Sequence, residues 1–82
     1  MTIDEFARGF NATVHKKFTT GVTKYFIETT IKTSDPVRLI TELRYSSEGE
    51  LLSFRKYMIE AGKEIACAFS PYEAELILRL EE

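Results

Sequence analysis

Between Val22 and Thr33 the residue types alternate with a period of two, and nothing else in the chain restricts its fold as strongly. Tyr25, Ile27, Thr29 and Ile31 fall on one side, while Lys24, Glu28, Thr30 and Lys32 fall on the other. Successive side chains of an extended backbone point to opposite faces, so this pattern predicts a half-buried strand. β-branched and aromatic residues crowd the run and favour the same answer. Phe26 is the exception, an aromatic ring on the polar side.

A strand needs neighbours, and residues 34–45 admit two readings. Ser34-Asp35-Pro36 suits a helix start with Pro at its first position, followed by Leu39, Ile40 and Leu43 at helical spacing. As a strand, Val37, Leu39, Leu43 and Tyr45 alternate with Arg38, Glu42 and Arg44. Ser46-Ser47-Glu48-Gly49 favours the strand, because a polar tetrad ending in Gly suits a hairpin loop with Gly left-handed. A competing capping box, Ser47 to Glu50, would instead start a helix over 48–61. The hairpin reading leads to a third strand over 50–60, a turn at Ala61-Gly62 and a fourth strand over 63–69.

Helical signals stand at both ends. Thr2 with Glu5 is a capping-box pair, each side chain satisfying a backbone N–H that the first turn leaves free. Ile3, Phe6, Ala7, Phe10, Val14 and Phe18 then fit one face of a helix, within an arc of about 120°. Lys16 and Lys17 suit its last turn and Gly21 its end, although Gly9 costs about 1 kcal/mol against Ala. Ser70-Pro71-Tyr72-Glu73 opens a final helix with a cap and Pro at the first position. The predicted fold class is α+β: N-terminal helix, four-stranded antiparallel meander, C-terminal helix, with both helices on one face of the sheet. The 82 residues make a single domain, 1–82, without repeat or linker.

Composition argues against several chemistries. His15 is the only histidine and Cys67 the only cysteine, so no disulfide forms within the chain and the pair is too few for a structural zinc site. His15 is expected on the solvent side of the first helix, and Cys67, alternating with Ile65 and Phe69, in the core as an inert thiol. Glu48 with Glu50, and Glu73 with Glu75, read as solvated carboxylates at a turn and at a helix start. The four glycines are isolated, so no phosphate loop is present. We therefore expect no enzyme, no catalytic residue, no metal and no cofactor.

The N-terminal Met1-Thr2-Ile3-Asp4-Glu5 lacks the basic start and apolar run of a secretion signal, and no stretch matches a membrane span. A cytoplasmic protein without membrane contact is expected, and Asn11-Ala12-Thr13 reads as a chance match to the glycosylation pattern. Net charge is −2 overall, but residues 1–44 carry +2 and residues 45–82 carry −4. One surface is thus expected to be basic and another acidic.

Two contact surfaces emerge. The open sheet face would carry Lys24, Phe26, Glu28 and Lys32, then Arg38, Ile40, Glu42 and Arg44, then Arg55, Tyr57 and Ile59. Cations for phosphates among rings for base stacking suit single-stranded nucleic acid, with Lys24, Phe26, Lys32, Arg38, Arg44, Arg55 and Tyr57 as the binding surface. The alternative is that long basic side chains merely shield the sheet. In layout, a basic open sheet ahead of a C-terminal helix resembles the Whirly-type single-strand binders, but no diagnostic motif accompanies it and no family is assigned. The final helix is apolar nearly all round, with Glu73, Arg79 and Glu82 as its polar strip, so it needs a second partner besides its own sheet. A two-fold dimer through Tyr72, Leu76 and Leu80 supplies one; the N-terminal helix is the alternative. The sequence thus leads to a non-catalytic protein-binding module, an adaptor, inhibitor or regulatory subunit, dimeric and with a protein partner it does not identify. Single-stranded nucleic-acid binding is the second reading.

Overall fold

Thr2 and Glu5 form the reciprocal cap expected of them, the Glu5 N–H donating to the Thr2 hydroxyl at 3.2 Å and the Thr2 N–H to the Glu5 carboxylate at 3.1 Å. The helix they open is short. In the computed structural model, which describes residues 1–82, the elements are α1 (Ile3–Gly9), β1 (Thr13–Thr19), β2 (Val22–Ile31), β3 (Val37–Ser46), β4 (Leu51–Glu60), β5 (Lys63–Cys67) and α2 (Pro71–Leu78). Asn11 ends α1 by adopting a left-handed φ of 52°. Its N–H then donates to the Arg8 carbonyl at 3.2 Å and the Ala12 N–H to the Ala7 carbonyl at 2.9 Å. Those two bonds are a Schellman motif with Asn in the position that Gly usually takes.

The chain beyond Asn11 corrects the expected long helix and the expected four strands, because Thr13–Thr19 is a fifth strand. Phe10, Val14 and Phe18 recur every four residues, and that interval keeps a side chain on one face in a helix and in a strand alike. What separates them is the alternation of Thr13, His15, Lys17 and Thr19 with Val14, Lys16 and Phe18, together with the stop at Asn11.

All neighbouring strands are antiparallel, in the order β1-β2-β3-β4-β5. The hairpin expected at Ser46–Gly49 forms, with Gly49 at φ 82° and the Ser46 hydroxyl accepting the N–H groups of Glu48 and Glu50. A helix over 48–61 is thereby replaced by β4. Ala61 and Gly62, both at positive φ, close a two-residue turn between the paired Glu60 and Lys63. Between Arg44 and Tyr45 the register slips, so Leu52 is the extra residue of a β-bulge.

Pairing fixes which side chains share a face. Val14 lies opposite Ile27, Tyr25 opposite Leu43 and Thr23 opposite Tyr45. Ile27, Leu43 and Tyr45 form the core cluster with Ile3, Phe6 and Ala7 of α1 and Ile77 of α2, and we call their side of the sheet the core face. Phe54 and Phe69 pack edge-on at 5.1 Å between ring centres, as do Tyr25 and Tyr45 at 5.7 Å. The two ends of the chain meet in a parallel bridge between Thr2 and Glu81, the Glu81 N–H donating to the Met1 carbonyl at 2.9 Å. No helix is long and apolar enough to cross a membrane.

Candidate functional site

The face opposite the core cluster is organised by cross-strand rows, because directly opposed residues of antiparallel strands project to the same side. One row runs Lys17–Lys24–Arg44–Ser53, the next His15–Phe26–Glu42–Arg55, and a third Thr13–Glu28–Ile40–Tyr57–Ala66. Thr30, Arg38, Ile59 and Glu64 make a fourth. The surface residues expected from sequence, Lys24, Phe26, Arg38, Arg44, Arg55 and Tyr57, do come to one face; Lys32 lies beyond the end of β2.

Charge is not spread evenly over this face. Arg38 grips Glu28 with two hydrogen bonds, Nη2 to Oε1 at 2.6 Å and Nε to Oε2 at 3.1 Å. That contact holds the Glu28 carboxyl below its ordinary pKa and raises that of Arg38. Arg55 reaches Glu64 at 2.7 Å and both oxygens of buried Glu42 at 3.4 Å, contacts that raise its own pKa. Its guanidinium also sits over the Tyr57 ring, 4.4 Å from the centre. Tyr57 is only 7% exposed, so it is no solvent-facing platform for a base, and burial followed by the nearby Glu42 raises its pKa. Ile40, opposite Tyr57, is 4% exposed. The stretch from Arg38 to Arg55 is therefore a small covered apolar cluster under paired charges. Lys17, Lys24 and Arg44 take part in no ion pair, and the Arg44 Nε is buried without a hydrogen-bond partner.

On the core side, Lys56 and Glu73 form a shielded ion pair, with Nζ 3.0 and 3.1 Å from the two carboxylate oxygens. Glu73 also accepts the Ser70 N–H as the far half of the α2 capping box. Burial pushes its pKa up, but Lys56 and the Ser70 N–H and hydroxyl together outweigh burial and hold it below the ordinary value. Glu73 thus leaves the polar strip assigned to it, because the cap and Lys56 turn it inward.

Ile77 is the buried centre of α2, with Leu76 and Leu80 packed partly against the core. Of the residues expected to contact a second copy, only Tyr72 stands free, at 68% exposure. Leu78, which the sequence places on the apolar surface of the helix but not in the dimer contact, is 67% exposed. With 3.6 residues per turn, Tyr72, Arg79, Glu75 and Leu78 share one outer arc of about 120°. Glu75 and Arg79 are bonded to each other there at 2.6 Å. Beside this arc an apolar groove of about 260 Å³ is lined by Met1, Phe6, Phe10, Tyr72 and Leu76 together with Glu5 and Gly9.

Cys67 is half-buried on β5, its Sγ 3.7 Å from the Ile65 carbonyl, and His15 is exposed on β1 rather than on a helix. β1 and β5 are opposite edges of the sheet. No three His, Cys, Asp or Glu side chains gather as a metal-holding group. Compared with protein-family models, with curated proteins and with solved structures, the chain matches none.

Proposed function

We propose that the chain is a small non-catalytic protein-binding module, an adaptor, inhibitor or regulatory subunit of the cytoplasm, and that it forms a two-fold dimer through the outer arc of α2. The observation that carries this reading is the pair of large apolar side chains, Tyr72 and Leu78, left about two-thirds exposed on either side of the Glu75–Arg79 pair. An isologous contact needs a self-complementary patch. Two copies of α2 laid antiparallel bring Glu75 of one to Arg79 of the other, with Tyr72 and Leu78 closing over apolar surface. The core cluster shared by both helices supports placing them on one face of the sheet, with the arc turned outward.

Two observations support the non-catalytic part. His15 and Cys67 stand on strands four spacings apart, about 19 Å at ~4.8 Å per strand, too far for a nucleophile–base pair. The carboxylates with lowered pKa on the sheet and α2, Glu28 and Glu73, are each held by a cation.

Light scattering is expected to give twice the chain mass for the native protein and the single mass for Tyr72→Glu and Leu78→Glu. Both variants keep the fold because these side chains are not part of the core. A monomer for the native chain at about 100 μM, a concentration at which millimolar self-association alone would go unseen, overturns the dimer.

A further inference from the structure

Beyond the α2 contact, the geometry points to a second binding site: the row Lys17–Lys24–Arg44 takes the phosphate backbone of a single-stranded nucleic acid, with Phe26 as the neighbouring stacking ring. The row lies on the face opposite the core cluster and shares no residue with the α2 arc.

Like charges placed directly opposite one another across antiparallel strands destabilise a sheet. Here three cations stand in register on three successive strands, about 10 Å from first to third at the usual strand spacing. The same face shows how such charges are ordinarily settled: Arg38 is tied to Glu28, and Arg55 to Glu42 and Glu64. The three members of the row have no such partner, although Glu48 and Glu50 belong to the adjoining hairpin. Lys24 and Arg44 are half-buried and the Arg44 Nε has lost water without gaining an acceptor. An arrangement unfavourable alone becomes favourable with anions laid along it.

The choice of a nucleic acid rests on the next row. Phe26 follows Lys24 on the same face and is half-buried, with its flanking Glu42 neutralised by Arg55. Cations in line beside an aromatic ring are what a single strand requires, phosphates on one and a base on the other. An acidic peptide would use the cations and leave Phe26 idle. The site is narrower than the surface drawn from sequence, since Arg38, Arg55 and Tyr57 are engaged elsewhere, and it includes Lys17, which that surface omitted.

Fluorescence anisotropy with a labelled dT oligomer at about 50 mM salt tests the assignment. Micromolar binding is expected, with log K falling against log salt at a slope of about −2, from about 0.7 counterions for each of three phosphates. Lys17→Gln, Lys24→Gln and Arg44→Gln are each expected to weaken binding about fivefold or more, Phe26→Leu about fivefold or more through lost stacking, and Arg38→Gln less than twofold. Lys24→Gln is expected to melt at or above the native temperature, since it relieves the row, so its lost affinity cannot be ascribed to unfolding. No anisotropy change at about 100 μM protein, the weak end of non-specific binding, overturns the site. So does an equal loss from Arg38→Gln and Lys24→Gln, or displacement of the oligomer by poly-glutamate at equal charge.

Discussion

Glu73 shows how one side chain can tie two elements together. It caps α2 through Ser70, pairs with Lys56 of β4, and lies with Lys56 in a small pocket lined also by Phe6 and Phe10 beyond the end of α1. Both partners are about four-fifths shielded, with side-chain exposures of 16% and 19%, so removing one leaves the other short of solvent. Its carboxyl and that of Glu28 titrate below their ordinary value in the folded chain. A depressed folded pKa contributes stability that is present above the unfolded value, about 4.3 for Glu, and lost as pH falls through the folded one. Urea midpoints are therefore expected to hold near neutrality and to drop below about pH 4. Glu73→Gln keeps the cap geometry but abolishes the charge, so its midpoint is expected to be lower at pH 7 and to depend less on acid. An unchanged acid dependence would show that Glu73 is not among the groups responsible.

At the scale of elements, what was legible in the sequence depended on how local its cause was. The capping boxes of α1 and α2, the β2 alternation, the Ser46–Gly49 hairpin and the Ala61-Gly62 turn are written within a few residues, and each forms, whereas the competing Ser47–Glu50 box does not. The error from Phe10 to Gly21 arose where two periods coincide, and Asn11 was the signal that resolves it, since Asn tolerates the left-handed conformation more readily than most residues. The candidate site was legible in part for a related reason. Which residues share a face follows from alternation, but which cation meets which carboxylate follows from register, and the loop after β2 and the bulge between β3 and β4 that set it are not written in the alternation. Reading Thr13–Thr19 as helix puts Lys17 at a helix end, and alternation alone puts Tyr57 on the open face although Arg55 covers it. Asn11→Val tests the stop directly, because a β-branched residue is poorly suited to that φ. A loss of about 1–2 kcal/mol in urea unfolding is expected, while Asn11→Gly stays near the native value. Equal losses from both would mean that the Asn side chain, not its backbone conformation, ends α1.

For the molecule as a whole, the small core makes assembly a matter of stability as well as of function. Only 12 of the 82 residues are buried, and the large apolar residues Phe18, Leu52, Tyr72 and Leu78 are all more than half exposed. A domain of this size buries a smaller share of its surface than a larger one and is correspondingly marginal, so a contact that covers part of this surface is a significant share of its stability. If α2 joins two copies, folding and association are linked, and mass action requires the melting temperature to rise with protein concentration. Scans from a few micromolar to several hundred micromolar are expected to show that rise for the native chain. Tyr72→Glu removes the contact while leaving Ile77, Leu76 and Leu80 in place, so its melting temperature is expected to be independent of concentration and to meet the native curve at the dilute end. The comparison separates two effects that a single measurement confuses: a variant that merely weakened the fold would melt lower at every concentration and keep the native slope. Lys24→Gln provides the opposite control, expected to shift the whole curve without altering its slope, because the row it belongs to shares no residue with the α2 arc. A native chain whose melting temperature does not move with concentration would leave the exposed arc of α2 without a second copy to cover it.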